Sequence, residues 1–382
     1  MNKSKIYLIK YLLIISMFYR LIINAGVIEA NKYGVYINSY DARNFSLGDC
    51  WVTSLFNAGI GESEGFSIQY SPSIYIPTES RSIYLFDEFD NTVGKQTTAY
   101  NTNYLLEFPL TTHIYYNKNP MYLSIGWEGV IGSDWKFEDI ERDDFYQIIR
   151  REEMESSINI NGIAFQGGWR IGGFKPIVEI KWLHGSFNRF YLLDTLSSEF
   201  YHKGSGYDIG GSLSYEFNWR FKTVIRANFG SRFKTPINDY EYPYRIGAGL
   251  IFRPSNRLPA VVTIEVIYTP WERMKVNGLR GEDLVNVTSI SAGIEHRLKP
   301  DLFLRTGYLW NPSVISKNII QSKFTFGVGY ENWGTRFDIA GSYSTNSFTY
   351  DEVTLLGIGD YEILEESETR LILTITRMFE VK

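Results

Sequence analysis

The chain of 382 residues is rich in aromatics (16%) and in glycine (33 against 12 prolines), a balance that points to strands and tight bends rather than helix bundles. A net charge of −5 spread over both signs excludes a dedicated nucleic-acid binder. A mean hydropathy of −0.18 excludes a polytopic helical membrane protein but leaves open a transmembrane barrel, whose strands turn only alternate residues to lipid.

Residues 1–30 read as a secretory signal peptide. Lys3, Lys5 and Lys10 form a basic start, an apolar stretch runs from Tyr11 to Tyr19, and Ala25 or Ala30 offers a small residue for cleavage. Residues 31–63 are irregular, rich in small side chains, and contain the stretch "DARNFSLGDCWVTSLFNAGIG". Cys50 lies here as the single cysteine, so no internal disulfide is possible, and it reads as a small apolar space-filler.

From residue 64 to 382 the pattern alternates apolar with polar in segments of about ten to fourteen residues, longer than ordinary globular strands. In "FKTVIRANFGSRFK", Phe221, Ile225, Phe229 and Phe233 share one face, and Lys222, Arg226, Arg232 and Lys234 the other. In "GYDIGGSLSYEFNW", Tyr207, Ile209, Leu213 and Phe217 oppose Asp208, Ser212, Ser214 and Glu216. About fourteen such segments follow one another, an even number as bacterial barrels require. Their connections alternate between short turns, as at Ile171, Asn218, Arg253, Arg297 and Glu331, and long loops expected over 78–96, 132–156, 191–205, 272–286 and 347–367. The fold class predicted is all-β, an antiparallel up-and-down transmembrane β-barrel with short turns in the periplasm and long loops outside. Trp219, Trp271, Trp310 and Trp333 sit near strand ends, where an interfacial girdle is expected. The loop over 132–156 carries nine acidic against four basic residues and is a candidate contact for a secreted protein partner.

Alternation turns a set of charges toward the lumen: Glu107, Glu128, Glu179, Glu216, Arg226, Arg245, Glu265, Glu295, Arg305, Arg336 and Asp338. Both signs occur at similar depths, so a salt-bridged inner wall is the simplest reading, with a selectivity filter as the alternative. The four histidines have no serine motif beside them; His113 is expected in a short turn and His296 on the lipid side. No phosphate loop, dinucleotide fingerprint or metal-ligand spacing occurs, so neither an enzyme, a cofactor nor a metal is expected.

The phrase "ARNFSLGDCWVTSLFNAGIG" resembles the N-terminal stretch of the long-chain fatty acid transporter family of outer-membrane proteins. Ala42, Arg43, Leu47 and Gly48 match its first phrase, and Asn57, Ala58 and Gly59 its later turn, without the usual proline. "VTIEVIYTPWERMKV", "ISAGIEHRLKPDLFLRTGYLWNPSV" and "KFTFGVGYENWGTRFDIAGSYS" follow that family's later strands and turns. One departure stands at the C-terminus, where Phe379 is followed by Glu380, Val381 and Lys382 although such barrels commonly end on an aromatic.

The resemblance implies a fourteen-stranded barrel whose N-terminal residues, 31–63, fold inward as a hatch. Asn57, Ala58 and Gly59 would form the hatch turn, and Gly126 and Gly129 would permit a kink in the third strand that opens a lateral gate. The implied function is uptake of hydrophobic small molecules such as long-chain fatty acids, by plug movement and sideways release into outer-membrane lipid. Two alternatives remain at this point: a non-transporting barrel with a docking or structural role, and a general diffusion porin.

Overall fold

The computed structural model describes residues 33–56, 65–102, 105–142, 145–193, 196–255, 259–281, 284–314, 320–348 and 363–379. The proposed signal peptide (1–30) and the hatch-turn residues Asn57, Ala58 and Gly59 lie outside them.

A two-residue strand, β1 (Val35–Tyr36), and a one-turn helix, α1 (Ala42–Ser46), precede the barrel. The wall opens with β2 (Gly65–Phe86). The second wall strand is made of β3 (Thr92–Thr102) and β4 (Leu105–Lys118), and then come β5 (Met121–Arg142), β6 (Ile148–Trp169), β7 (Phe174–Leu193) and β8 (Leu196–Asn218). Two interrupted strands follow, β9 (Phe221–Asn228) with β10 (Arg232–Lys234), and β11 (Asp239–Glu241) with β12 (Arg245–Phe252). The wall continues with β13 (Ala260–Thr269), a small hairpin of β14 (Lys275–Val276) and β15 (Leu279–Arg280), and then β16 (Val287–Lys299) and β17 (Leu302–Pro312). It ends with β18 (Ile320–Asn332), β19 (Thr335–Phe348) and β20 (Ile363–Phe379). Pairing of β2 with β20, from Phe66↔Phe379 to Ser82↔Ile363, closes an antiparallel barrel of fourteen strands. Closure removes every free edge but those created locally.

The alternation read from the sequence decides which side faces out. On β8, Tyr207, Ile209, Leu213 and Phe217 are exposed while Asp208, Ser212 and Ser214 are buried. On β2, Ile68, Tyr70 and Ile74 point out and Ser67, Gln69, Ser71 and Ser73 point in. An apolar outside over a polar inside is the reverse of a soluble barrel and suits a wall solvated by lipid.

Three segments expected as long loops are paired strand. β5 and β6 stay paired to Arg142↔Ile148, β7 and β8 to Leu193↔Leu196, and β2 and β3 to Phe86↔Thr92, the first and last with register shifts on the way. At 22, 22, 20 and 23 residues, β5 to β8 are each roughly 70 Å long, more than twice the ~25 Å apolar belt of such a barrel. The segment 272–286 contains the β14–β15 hairpin, and 349–362 is outside the described residues.

A second correction concerns "FKTVIRANFGSRFK". Gly230, at φ +97°, interrupts the strand, and the parity reverses beyond it. Phe233 is fully buried in the lumen whereas Arg232 and Lys234 face out. Trp271, expected in the girdle, is also buried, inside the lumen. His113 lies within β4 rather than in a turn, and it too is buried.

Candidate functional site

The lumen is filled by the chain's own N-terminus. Beginning at β1, the segment runs along the inside of the barrel to Phe56, at the end where the turns are short. Asp41 caps α1, its Oδ1 accepting from the Asn44 amide at 3.0 Å, and all five residues of the helix are buried. Beyond the helix, Gly48 lies directly on the wall. A Cβ there would come within 2.9 Å of the carbonyl oxygens of Ala292 and Tyr308. The facing wall residues, Gly293 and Gly307, are cross-strand partners, and a Cβ on either would meet the backbone of Leu47 or Gly48 at 2.2 Å. Glycine on both surfaces lets two backbones touch.

Polar contacts anchor the segment to several strands. The amides of Trp51 and Thr53 donate to the Glu265 carboxylate at 2.6 and 3.0 Å. The Ala42 amide donates to Thr374, the Gly48 amide to Thr325, and Arg226 donates to the Trp51 carbonyl at 2.7 Å. Arg245 donates to Asn38, and its guanidinium stacks over Trp51 at 4.3 Å and Tyr36 at 4.9 Å. Burial pushes the Cys50 thiol well above its ordinary range, because a thiolate in this dry environment would lose its hydration.

Two buried ionic clusters flank the segment. In the first, Glu295 accepts from Arg43 at 2.7 and 2.9 Å and from Arg305 at 2.6 Å, and Asp338 takes Arg305 and Arg336, each at 2.8 Å. Three guanidiniums thus share two carboxylates, one of the three coming from the N-terminal segment. In the second, Lys181 meets Glu128 at 2.7 Å and Glu179 at 3.0 Å, while Arg226 meets Glu179 at 3.2 Å and His113 meets Glu128 at 3.3 Å. Of the charges read from the sequence, Glu179, Arg226, Arg245, Glu265, Glu295, Arg305, Arg336 and Asp338 are therefore buried around the segment. Glu216 is not with them. It pairs with Arg170 at 3.1 Å in a cavity of 580 Å³ at the short-turn mouth, its side chain about one-third exposed. Arg43, His113, Lys181 and Asp208 were missing from the sequence-derived set. Parity alone would have found Lys181 and Asp208, but Arg43 gives no such signal because it lies in no strand.

Gly126 and Gly129 take different positions. Gly126 sits inside the paired part of β5, opposite His113, and a Cβ on it would lie 2.1 Å from the His113 Nδ1. Gly129 precedes a register shift against β6, between Gly129 and Ile131. Among the described residues, pairing of β4 with β5 stops at Thr112↔Trp127. Just beyond that point the edge of β5 is taken by the N-terminus: the Ile37 amide donates to the Val130 carbonyl at 3.1 Å, and β1 pairs as Tyr36↔Ile131 and Val35↔Gly132, while farther along Glu138 is bonded to Asn101 of β3 at 3.1 and 3.2 Å. A Cβ on Gly129 would touch Ile37 Cδ1 at 2.8 Å. The discontinuity in the wall is therefore filled by the same segment that fills the lumen.

Next to β1 the lumen changes character. Tyr33, Val130, Ile131, Phe187, Phe233, Tyr240, Tyr242, Trp271 and Met274 belong to one buried apolar cluster at the long-hairpin end. Phe187 stacks on Tyr240 at 4.4 Å, and Tyr36 packs on Trp271 at 5.7 Å with its hydroxyl donating to the Pro243 carbonyl.

No family model and no curated protein matches the sequence. Solved structures do match. A FadL homologue from Pseudomonas aeruginosa superposes with a TM-score of 0.65 at 9% identity, over 91% of this chain and 100% of that one. The toluene transporter TodX of P. putida gives 0.62 at 12% identity over 91% and 100%, and the toluene transporter TbuX of Ralstonia pickettii 0.61 at 11% over 90% and 99%. At such identities the likeness is one of fold: the chain shares the fourteen-stranded β-barrel fold of the FadL-type transporters.

Proposed function

We propose that this chain is an outer-membrane channel for hydrophobic small molecules, closed across its lumen by the N-terminal hatch (31–63) and emptied sideways between β4 and β5. The observation that carries the reading is the edge of β5 beyond Trp127, which has lost β4 and is held by β1. Displacing a two-residue strand breaks few hydrogen bonds, yet it would free a gap in the wall that opens toward lipid. The apolar cluster around Tyr36, Phe187 and Trp271 supports a hydrophobic cargo, because an aqueous channel has no use for a greasy lining beside its plug. Ligand entering there would compete with Tyr33 and Tyr36 for the same surface, which couples capture to release of β1. The relatives of like fold include proteins described as toluene transporters and a monoaromatic hydrocarbon channel, and long-chain fatty acids belong to the same broad chemical class of cargo. Gly129 and Gly132 are the positions where a side chain would crowd Ile37, and so they set how closely the closing strand can dock.

A cross-link tests this directly. Val35 and Gly132 are Cα partners in an antiparallel pair, a spacing suited to a disulfide. In a Cys50→Ser background, Val35→Cys with Gly132→Cys should block transfer of a pyrene-labelled fatty acid into proteoliposomes when oxidised and restore it on reduction. Equal transfer in the two states would remove β1 from the pathway.

A further inference from the structure

Outside the barrel, the lipid-facing side chains stop at one height on neighbouring strands. Along β8 the exposed series Phe217, Leu213, Ile209, Tyr207 gives way to Ser205 and Lys203, and along β9 the series Phe221, Ile225, Phe229 gives way to Arg232 and Lys234. The register aligns the two transitions, with Tyr207 beside Arg232 and Ser205 beside Lys234. The row continues sideways through Arg232↔Glu241, Glu241↔Lys275 and Lys275↔Arg280. Five cations, Lys203, Arg232, Lys234, Lys275 and Arg280, therefore gather on one outward face just past the apolar belt.

Carboxylates on this side are fewer than cations: besides Glu241 and Asp239, Glu199 is exposed on the Lys203 face of β8 and Glu272 is exposed before the β14–β15 hairpin. Glu241 lies 3.6 Å from Arg232 and 3.3 Å from Lys275, and Asp239 is the cross-strand neighbour of Lys234. Among the described residues, Lys203, Lys234 and Arg280 have no carboxylate within ion-pair distance, and Lys203 reaches only the ring of Tyr201, at 5.8 Å. Several other outward cations toward this end are matched, Lys136 by Glu153, Arg151 by Glu138 and Glu153, and Lys95 by Glu365, while exposed Arg273, next to the row, stands over the Tyr244 ring at 5.3 Å. Excess positive charge is thus concentrated on the β8–β15 face. It also lies where acyl chains end and headgroups begin.

We infer that this row binds a lipid headgroup carrying more than one phosphate in the outer leaflet. Arginine and lysine donors at the headgroup level are the groups that phosphate oxygens seek. From β8 to β15 the row crosses four interstrand steps, roughly 19 Å at ~4.8 Å each, wider than a single phosphate and suited to a polyphosphorylated one. The inference rests on the placement in an outer membrane proposed above, and not on transport, since the face is outside the lumen.

The test uses the full mature chain in neutral detergent, with diphosphoryl lipid A and its dephosphorylated form as probes and native mass spectrometry as the readout. The wild type should prefer the diphosphoryl form by roughly tenfold or more, and added NaCl should erode that preference. The variant Arg232→Gln/Lys234→Gln/Arg280→Gln, checked for folding by its heat-shifted gel band, should lose the preference. A control at the opposite end, Arg220→Gln/Arg297→Gln/Lys299→Gln, should keep it. Preference that survives the first variant, vanishes equally in the control, or ignores salt in the wild type overturns the assignment. So does full displacement by millimolar inorganic phosphate, which would mark a free-phosphate site. If the triple variant does not fold, the salt series and the single Arg280→Gln variant decide the matter. Failure of fatty-acid transfer would leave all of these readouts untouched.

Discussion

Gly126 shows what one absent side chain does. Its hydrogen leaves room for the His113 imidazole, which stacks on Tyr115 at 5.4 Å and reaches Glu128. Gly126→Ala would drive a methyl group into the ring, so the imidazole must swing away or β5 must shift. Overpacking of this kind costs about 1–3 kcal/mol. Urea unfolding followed by tryptophan fluorescence should show that loss for Gly126→Ala, and a smaller one when His113→Ala accompanies it. An unchanged midpoint for the single variant would mean that the ring is not held there. The sequence presented Gly126 and Gly129 together as a source of kink, and the register shift lies next to the second of them. Which neighbour fills the space above a glycine is set by the partner strand, and the glycine's own segment does not record it.

The N-terminal segment is held by discrete anchors, of which Arg43 is the most heavily charged. Removing it by Arg43→Ala leaves Glu295 with Arg305 and Arg336, whereas Glu295→Gln leaves three guanidiniums with Asp338 as the remaining carboxylate of the cluster. Loss of one member of a buried pair typically costs about 3–5 kcal/mol, and the carboxylate change should be the worse of the two because it strands like charges. Cys50 supplies the readout. Fully buried and with its thiol titrating well above the ordinary range, it should resist a soluble maleimide at neutral pH in the wild type. Arg43→Ala should speed its labelling several-fold while the heat-shifted band persists; labelling as slow as in the wild type would show that Arg43 does not secure the segment.

Elements differed in how far the sequence revealed them. β12, β13, β16 and β17 keep one face in lipid and the other in the lumen, so period-two alternation marks them clearly. The far halves of β5 to β8 stand beyond the belt with water on the outside, and their alternation loses contrast although the ladder continues. At Gly230 the backbone turns over and exchanges the faces of Phe233 and Arg232, which a parity count carried across the glycine assigns the wrong way round. β1 is two residues long, and its partner lies about a hundred residues away, so no local pattern announces it.

At the scale of the whole molecule, the barrel joins three solvents. Lipid surrounds the belt, water meets both mouths, and the interior is built from ion pairs and glycine contacts against the chain's own N-terminus. Buried charges of opposite sign, such as Lys181 with Glu128 and Glu179, pair within that interior instead of lining open water. The apolar cluster beside β1 is the part of the filling that joins apolar chemistry to the interrupted wall; a second one, around Trp51, Val52 and Phe56, lies toward the short-turn end. On the proposal made above, a plugged lumen with an apolar cluster beside an interrupted wall would pass cargo through the side and hold ions back.

The most direct measurement therefore records both fluxes in the same proteoliposomes, with a pyrene-labelled fatty acid for hydrophobic transfer and a potassium-sensitive dye for ions. The account predicts protein-dependent transfer of the fatty acid with no potassium leak above that of empty vesicles. Potassium leak rising in step with the protein would contradict it and indicate an open aqueous pore. Fatty-acid transfer no faster than in empty vesicles would contradict it as well, leaving a closed barrel without a cargo.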